Sequence, residues 1–479
     1  MKANNINKRI FFIFGLYLVI LLGSMFLSPY FDDYEFADPI QKFTPEILLP
    51  QASFWRPIEN IFRYLLSFSH GFPYVNHFFV VTGHFVSVTL FYNILHHFKI
   101  DTKIHFFATI VFCISAGVIP YVLSVDSLNQ TWSMVFGLIA LKLFLENKHR
   151  CINYTVFCFL SIFSKESGIS WLIVIPLLSL LKDIRCGKEI NKARILNCIK
   201  HCGFGCILIL IYMILRISIG GNFTAQSEGE YAFKPFSFIT IQNVVVLCAT
   251  AFSAIDTISL MVPPKNLVLL ILTIVFTLPF LCMLFYAFIK KIKDISVYLL
   301  IFIILILSGP QILIGGGAGE MHAYSTVLGA AFILAVLFTD VRINTKISRM
   351  VFALFLVSTV IVGIRKYESM YNCGKMADMV AENIISQTTV IPEKVLSVGI
   401  NAKTTGYSIF SQNAAWASDY GKSALRKWGF KHPAKFVSIK KSGNEEQIEN
   451  EIIKNSAYVS QYDAIWIIKR DGSVKVYEN

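Results

Sequence analysis

Four carboxylates fall within seven residues at Asp32, Asp33, Glu35 and Asp38. Like charges this close raise one another's pKa, which suits a general base or a cation site. An acidic loop that only orients the preceding helix is the other reading of the same string. Phe54-Trp55-Arg56-Pro57 follows, with Arg63 beyond it. A tryptophan and an arginine before a proline read as an interfacial segment whose proline opens a helix. Arg56 and Arg63 then share a helix face two turns apart, where either can hold a phosphate or anchor the helix at headgroup level. Ser164-Lys165-Glu166-Ser167-Gly168 interrupts two apolar runs. Its two charges either pair with each other or leave Lys165 facing an anionic ligand. A glycine-rich segment, 315–319, leads into Glu320, His322 and Tyr324. It can present N–H groups and side chains to phosphate, or be a loop without a chemical role. His77 and His84 lie seven apart on one helix face, a spacing that alone favours packing or interhelical hydrogen bonds.

The elements that carry these residues are apolar helices. Hydrophobic residues make up 55% of the 479-residue chain and charged ones 15%, against about 25% charged in soluble domains. Mean hydropathy is +0.60, and apolar runs of about 18–24 residues recur. The net charge of +13 needs no nucleic acid to explain it, because lysine and arginine concentrate between apolar runs. The ten cysteines form no disulfide framework, since most lie inside those runs. Cys198, Cys202 and Cys206 beside His201 read as helix packing rather than a metal set.

Hydropathy predicts an all-α polytopic membrane protein of about eleven spans. They lie near 10–28, 75–97, 104–123, 129–146, 151–164, 167–182, 199–219, 266–289, 295–314, 326–340 and 349–364. The core of the first run is too long for a signal peptide, and Lys2, Lys8 and Arg9 precede it, so the N-terminus is expected in the cytoplasm. The internal loops are then 99–103, 146–150, 182–194, 290–293 and 342–349, all basic, while the acidic stretch 30–47 is external. The run 239–262 is read as an interfacial or re-entrant helix ended by Pro263-Pro264, because a crossing there would invert every later loop. Residues 1–364 form the membrane domain. Residues 365–479 are expected to form a small extracytoplasmic α/β domain, with strands near 395–399 and 464–469, a helix near 445–455 and a hairpin at Asp471-Gly472.

In this topology the carboxylates, arginines, lysine and histidine all lie at external helix ends rather than at the bilayer midplane that a transporter would favour. Helix ends suit a lipid-borne anionic substrate. The ordered set Phe31-Asp32-Asp33, Trp55-Arg56-Pro57 with Phe62-Arg63, His77 with His84, and Lys165-Glu166-Ser167-Gly168-Ile169 resembles the integral-membrane C-type glycosyltransferases (GT-C fold). The resemblance is to the bacterial relatives of the tetratricopeptide-containing protein O-mannosyltransferases, over residues 28–175. Glu320, His322 and Tyr324 resemble a late external loop of these enzymes. Two features depart: Val80 stands where the histidine motif carries asparagine, and no tetratricopeptide array follows.

The resemblance implies an inverting hexosyltransferase of the bacterial inner membrane. Its donor would be a polyprenyl-phosphate sugar and its acceptor a periplasmic or surface glycan such as lipopolysaccharide O-antigen. Asp32 or Asp33 would serve as the base, with Arg56, Arg63, Lys165, Glu166, His77, Glu320, His322 and Tyr324 around donor phosphate and substrate. A divalent cation (Mg or Mn) at the acidic loop stays open. An O-antigen polymerase or ligase, or a lipid-linked glycan flippase, is the alternative reading; the early double aspartate followed by Arg-Pro argues against the polymerase or ligase.

Overall fold

A computed structural model describes residues 2–478 except 39, 41, 51–53, 147–150, 221–231, 258–265, 316–317, 342–344, 389, 391, 402–419 and 432. The side chains of 2–7, 31, 32, 151, 152, 340, 345 and 420 also lie outside the description. The Asp32 side chain, Pro263-Pro264, Gly316 and Gly317 are therefore outside the described residues.

The chain is mostly helical. In order come α1 (Lys2–Ser24), α2 (Pro57–Ser67), α3 (Tyr74–Leu95), α4 (Thr102–Ile114), α5 (Ile119–Leu123), α6 (Leu128–Glu146), α7 (Cys151–Ser164), α8 (Trp171–Arg185), α9 (Lys192–Ser218) and α10 (Phe238–Phe252). Then follow α11 (Leu267–Lys290), α12 (Ile295–Leu307), α13 (Gly309–Ile312), α14 (Tyr324–Asp340) and α15 (Thr345–Gln387). Among the described residues six helical stretches are long and apolar enough to cross a membrane: 74–98, 125–146, 166–185, 192–218, 267–290 and 346–387. That is fewer than the eleven expected, for a physical reason. Four of the expected spans, 104–123, 151–164, 295–314 and 326–340, hold apolar helices of only 10–17 residues among the described residues, and at about 1.5 Å per residue these fall short of a hydrocarbon core of about 30 Å.

The expected span 104–123 is broken. α4 stops at Ile114, and α5 restarts with Pro120 in its first turn. Gly117 lies in the gap, where a Cβ would come within 2.7 Å of the Thr250 side chain. The freed Ala116 carbonyl accepts a 2.6 Å hydrogen bond from Lys366 Nζ. Broken backbone at membrane depth is tolerated where protein groups satisfy it in this way. The run expected to be interfacial forms α10, whose fifteen residues span only about 22 Å.

Most of α3, α4, α6, α8 and α14 packs into one apolar core with Phe91, Phe112, Tyr121, Leu138 and Val327 fully buried. In contrast α9 and α11 turn apolar side chains outward, among them Ile207, Leu210, Val268 and Ile271. Faces like these associate in water and suit a lipid environment; the long apolar helices fit a membrane protein. Basic segments meet at one end of the bundle: Arg9 donates to the Thr102 carbonyl, Lys99 to Cys186 and Lys182 to Leu145.

α15 runs 43 residues, about 65 Å, straight from the apolar bundle into the C-terminal domain. Its last turns bury Ala377, Val380, Ala381 and Ile384 against a four-stranded sheet. The strands are β1 (Lys394–Ile400), β2 (Lys435–Lys441), β3 (Ala464–Ile468) and β4 (Val474–Glu478), in the order β2-β1-β3-β4. β1 pairs in parallel with β2 and β3, and β3 pairs antiparallel with β4, forming the hairpin predicted at Asp471-Gly472. α16 (Tyr420–Lys427) lies on the α15 side, and α17 (Glu445–Lys454) covers the other face through Ile448 and Ile452.

Candidate active site

Four short 3-10 turns meet at the end of the bundle nearest the sheet domain: Phe31–Ala37, Val125–Ser127, Glu166–Ser170 and Glu320–His322. Each sits where an apolar helix stops or starts, so backbone groups left free by the helix ends are close to the polar side chains. Gly168 lets the third turn fold tightly, since a Cβ there would lie 2.5 Å from the Ser161 backbone. Tyr34 pins the first turn by inserting, fully buried, into the core shared by α15, α16 and the sheet.

Asp33 is 1% exposed. Its Oδ1 accepts from the Ser124 hydroxyl at 2.8 Å and from the Asp126 N–H at 3.0 Å. Its Oδ2 is buried and has no hydrogen-bond partner among the described residues. Burial pushes the Asp33 carboxyl up to about 7, against the opposing pull of those two hydrogen bonds.

A second set lies around Arg56, which occupies the N-cap position of α2 ahead of Pro57. Arg56 Nε donates to Glu166 at 2.9 Å and its Nη1 to Glu59 at 3.3 Å. Asn129 Nδ2 donates to the other oxygen of Glu59 at 3.0 Å, and Lys165 Nζ reaches Asn129 Oδ1 at 3.4 Å. Burial works against the Arg56 cation, but Glu166 and Glu59 outweigh it and raise its pKa. Burial raises the Glu59 carboxyl against the pull of Arg56. Burial, then repulsion from Arg56, brings Lys165 down to about 8. Arg63 pairs separately, with Glu35 at 2.9 Å.

Of the two readings open for Lys165-Glu166, the internal ion pair does not form. Glu166 binds Arg56, and Lys165 makes no ion pair among the described residues. Arg56 and Arg63 are each engaged by carboxylates, so of these three cations Lys165 is the one without an ion pair among the described residues. His322 lies close enough to Lys165 to feel its charge. Its Nδ1 accepts from the Gly319 N–H at 3.1 Å. Burial, then Lys165, hold its pKa down to about 4, so the imidazole is neutral near pH 7 and carries no charge to a phosphate. Gln130 clips this turn to α6 by donating to the Met321 carbonyl at 3.0 Å.

Of the other predicted site residues, Glu320 and Tyr324 have structural partners, and neither ring nitrogen of His77 makes a hydrogen bond among the described residues. Glu320 is 0% exposed, pairs with Lys366 at 2.8 Å and accepts from Thr257. The Tyr324 hydroxyl meets His84 at 2.7 Å, and His84 also bonds the Cys113 carbonyl at 3.0 Å. That is the interhelical role expected for His84. His77 is buried beside the Leu27 backbone and makes no hydrogen bond to the Arg56 or Asp33 sets.

Sequence reasoning passed over Ser124, Asp126, Asn129 and Gln130. The half-buried Asp126 is within electrostatic range of Lys165, Glu35, Arg56 and Arg63, and so links the two sets. The available signal was the polar string 124–130 between two apolar runs, which reads as an ordinary turn until its neighbours are known. Among the described residues no three His, Cys, Asp or Glu side chains converge as a metal set. Compared with known proteins, the chain matches no family model and aligns with no curated protein.

Proposed function

We propose that this chain is a membrane glycosyltransferase of the GT-C type. In this reading it moves a hexose from a polyprenyl-phosphate donor to a periplasmic or surface glycan, O-antigen being the specific acceptor. The observation that carries the reading is a near-neutral buried carboxyl, Asp33, bonded to the Asp126 N–H beside a cluster whose Lys165 ammonium makes no ion pair among the described residues. Transfer from a phosphate-linked sugar needs both: a group that takes a proton and a cation that receives an anionic leaving group.

Asp33 Oδ2 is the oxygen free to accept the proton of an acceptor hydroxyl, because Ser124 and the Asp126 N–H hold Oδ1. That oxygen attacks the anomeric carbon as the carbon–phosphate-oxygen bond breaks, and the bonding pair leaves on the lipid phosphate. A single displacement inverts the anomeric centre. Lys165 stabilises the departing phosphate. Arg56 keeps Glu166 and Glu59 from neutralising Lys165, and the neutral His322 can donate one hydrogen bond. Asp33 Oδ2 is shut from solvent, so an acceptor reaches it by parting the 31–37 turn from the 125–127 turn; water is kept from the base for the same reason.

The reading implies further placements. α1 and the short apolar helices α4, α7, α12 and α14 would complete the eleven crossings together with neighbouring polar turns at the interface, while α10 would stay interfacial. The N-terminus and the basic end would face the cytoplasm, and the sheet domain the periplasm of a bacterial inner membrane. Purified full-length protein given polyprenyl-phosphate hexose and acceptor glycan tests the activity. Transfer is expected with wild type and should fall by about 10²–10⁴-fold with Asp33→Asn. Donor movement across a vesicle membrane without turnover would indicate a flippase instead and overturn the reading.

A further inference from the structure

One turn beyond Asp33, Phe36 and Ala37 form the edge of a cavity of about 730 Å³ between the bundle and the C-terminal domain. That size falls in the range of about 300–1,000 Å³ typical of small-molecule sites. Among the described residues its lining holds four constant cations, Arg63, Arg426, Lys427 and Lys431, with His70 beside them and no aspartate or glutamate. Three of the cations are steadied from behind: Arg63 by Glu35, Arg426 by Asp38 at 3.3 Å, and Lys427 by Asp378. Lys431 is exposed and makes no ion pair among the described residues. Three of the four charges are thus balanced by carboxylates set behind the lining, and Lys431 is the ammonium left uncompensated among the described residues.

Two further observations point to what the cavity holds. Asn76 is 3% exposed and lines the cavity, yet its amide makes no hydrogen bond among the described residues. Its polar atoms are not shut from solvent, so they open onto the cavity with donors and acceptor available to a polar ligand group. The rings of Phe36, Phe72 and Phe430 also line the space; flat apolar surfaces between polar groups suit the C–H faces of sugar rings. One wall, 426–431, belongs to the sheet domain rather than to the apolar helices, so the ligand enters from water.

We propose that this cleft is the acceptor subsite and that it takes an anionic saccharide, a sugar chain bearing a phosphate or carboxylate. The assignment of an acceptor rests on the glycosyl-transfer reading of Asp33; the binding of an anionic saccharide does not. The negative group meets Lys431 and Lys427, a hydroxyl meets Asn76, and the chain lies toward the 31–37 turn.

Equilibrium binding to the full chain in neutral-lipid nanodiscs tests this, with mannose 6-phosphate, mannose and inorganic phosphate as probes. The sugar phosphate should bind at least about tenfold tighter than either fragment, and Lys431→Glu or Asn76→Ala should each weaken it by about tenfold. Asp33→Asn should leave it unchanged. Equal binding of mannose and mannose 6-phosphate, or indifference to Lys431→Glu, would overturn the site. Inorganic phosphate binding as tightly as the sugar phosphate would overturn the saccharide assignment. Displacement of mannose 6-phosphate by a short polyprenyl phosphate would give the cleft to the donor and overturn its acceptor role. If binding behaves as expected while the purified protein transfers no sugar, the anionic-saccharide site stands and the transfer reading falls.

Discussion

At the scale of single residues, the two groups whose pKa values approach neutrality set the expected pH behaviour. Asp33 must lose its proton to act as a base, so activity should rise with pH through about 7. Lys165 must keep its proton to meet phosphate, so activity should fall through about 8. A bell-shaped profile of kcat/KM with those two limbs is the expected result. Asp33→Asn should lower transfer by about 10²–10⁴-fold and abolish the acid limb, which a pH series on the residual activity would read. Asp33 also runs opposite to a salt-bridged carboxylate in stability. Its folded value lies above its ordinary value of 3.8, so the folded chain holds a proton that the unfolded chain has released. Its contribution is fully present below about 4 and is lost as pH rises through about 7. Asp33→Asn should flatten that fall, visible as a smaller loss of melting temperature between pH 5 and 8.

At the scale of elements, the broken segment between α4 and α5 depends on a long-range partner. Lys366 on α15 bonds the Ala116 carbonyl and pairs with Glu320, and both charged side chains are at most 1% exposed. Removing one member of such a pair leaves a buried charge, at a cost of about 3–5 kcal/mol. Lys366→Met should therefore lower thermal stability in detergent sharply, whereas Lys366→Met with Glu320→Gln should recover part of the loss. An equal loss in both variants would show that the Ala116 bond, not the ion pair, dominates. These partners were illegible in the sequence because Lys366 lies just past the apolar run ending at 364, where it reads as a flanking basic residue. The helix cores themselves were legible: α3, α6, α8, α9 and α11 fall on the predicted runs because burial or lipid contact demands long apolar stretches. Their ends were not, because a cap, a glycine contact or a 3-10 turn decides them.

At the scale of the whole molecule, α15 and Tyr34 join the bundle to the sheet domain as one body. The acidic turn is held from both sides, so the domain is part of the site's architecture. Tyr34→Ala should loosen that junction and raise the rate of proteolytic cleavage within residues 388–479, measured against wild type in the same detergent. Orientation has its own test. In intact spheroplasts a membrane-impermeant maleimide should label a Lys431→Cys variant and not a Lys188→Cys variant; the reverse pattern would invert the topology.

Composition and apolar periodicity alone determined that this is a helical, bilayer-suited chain with a polar α/β tail, because those properties follow from how many consecutive residues avoid water. The sequence alone also singled out Asp33, Arg56 and Lys165, since charges beside apolar runs are costly and therefore conspicuous. Only the tertiary structure decided which charges neutralise one another. Arg56 joins Glu166 from a position 110 residues away, and Glu320 joins Lys366. Asp33 lies against Ser124 and Asp126, which no local pattern marks. Local spacing reveals what a segment can bury, whereas ion pairing and desolvation depend on which distant segments share a low-dielectric space.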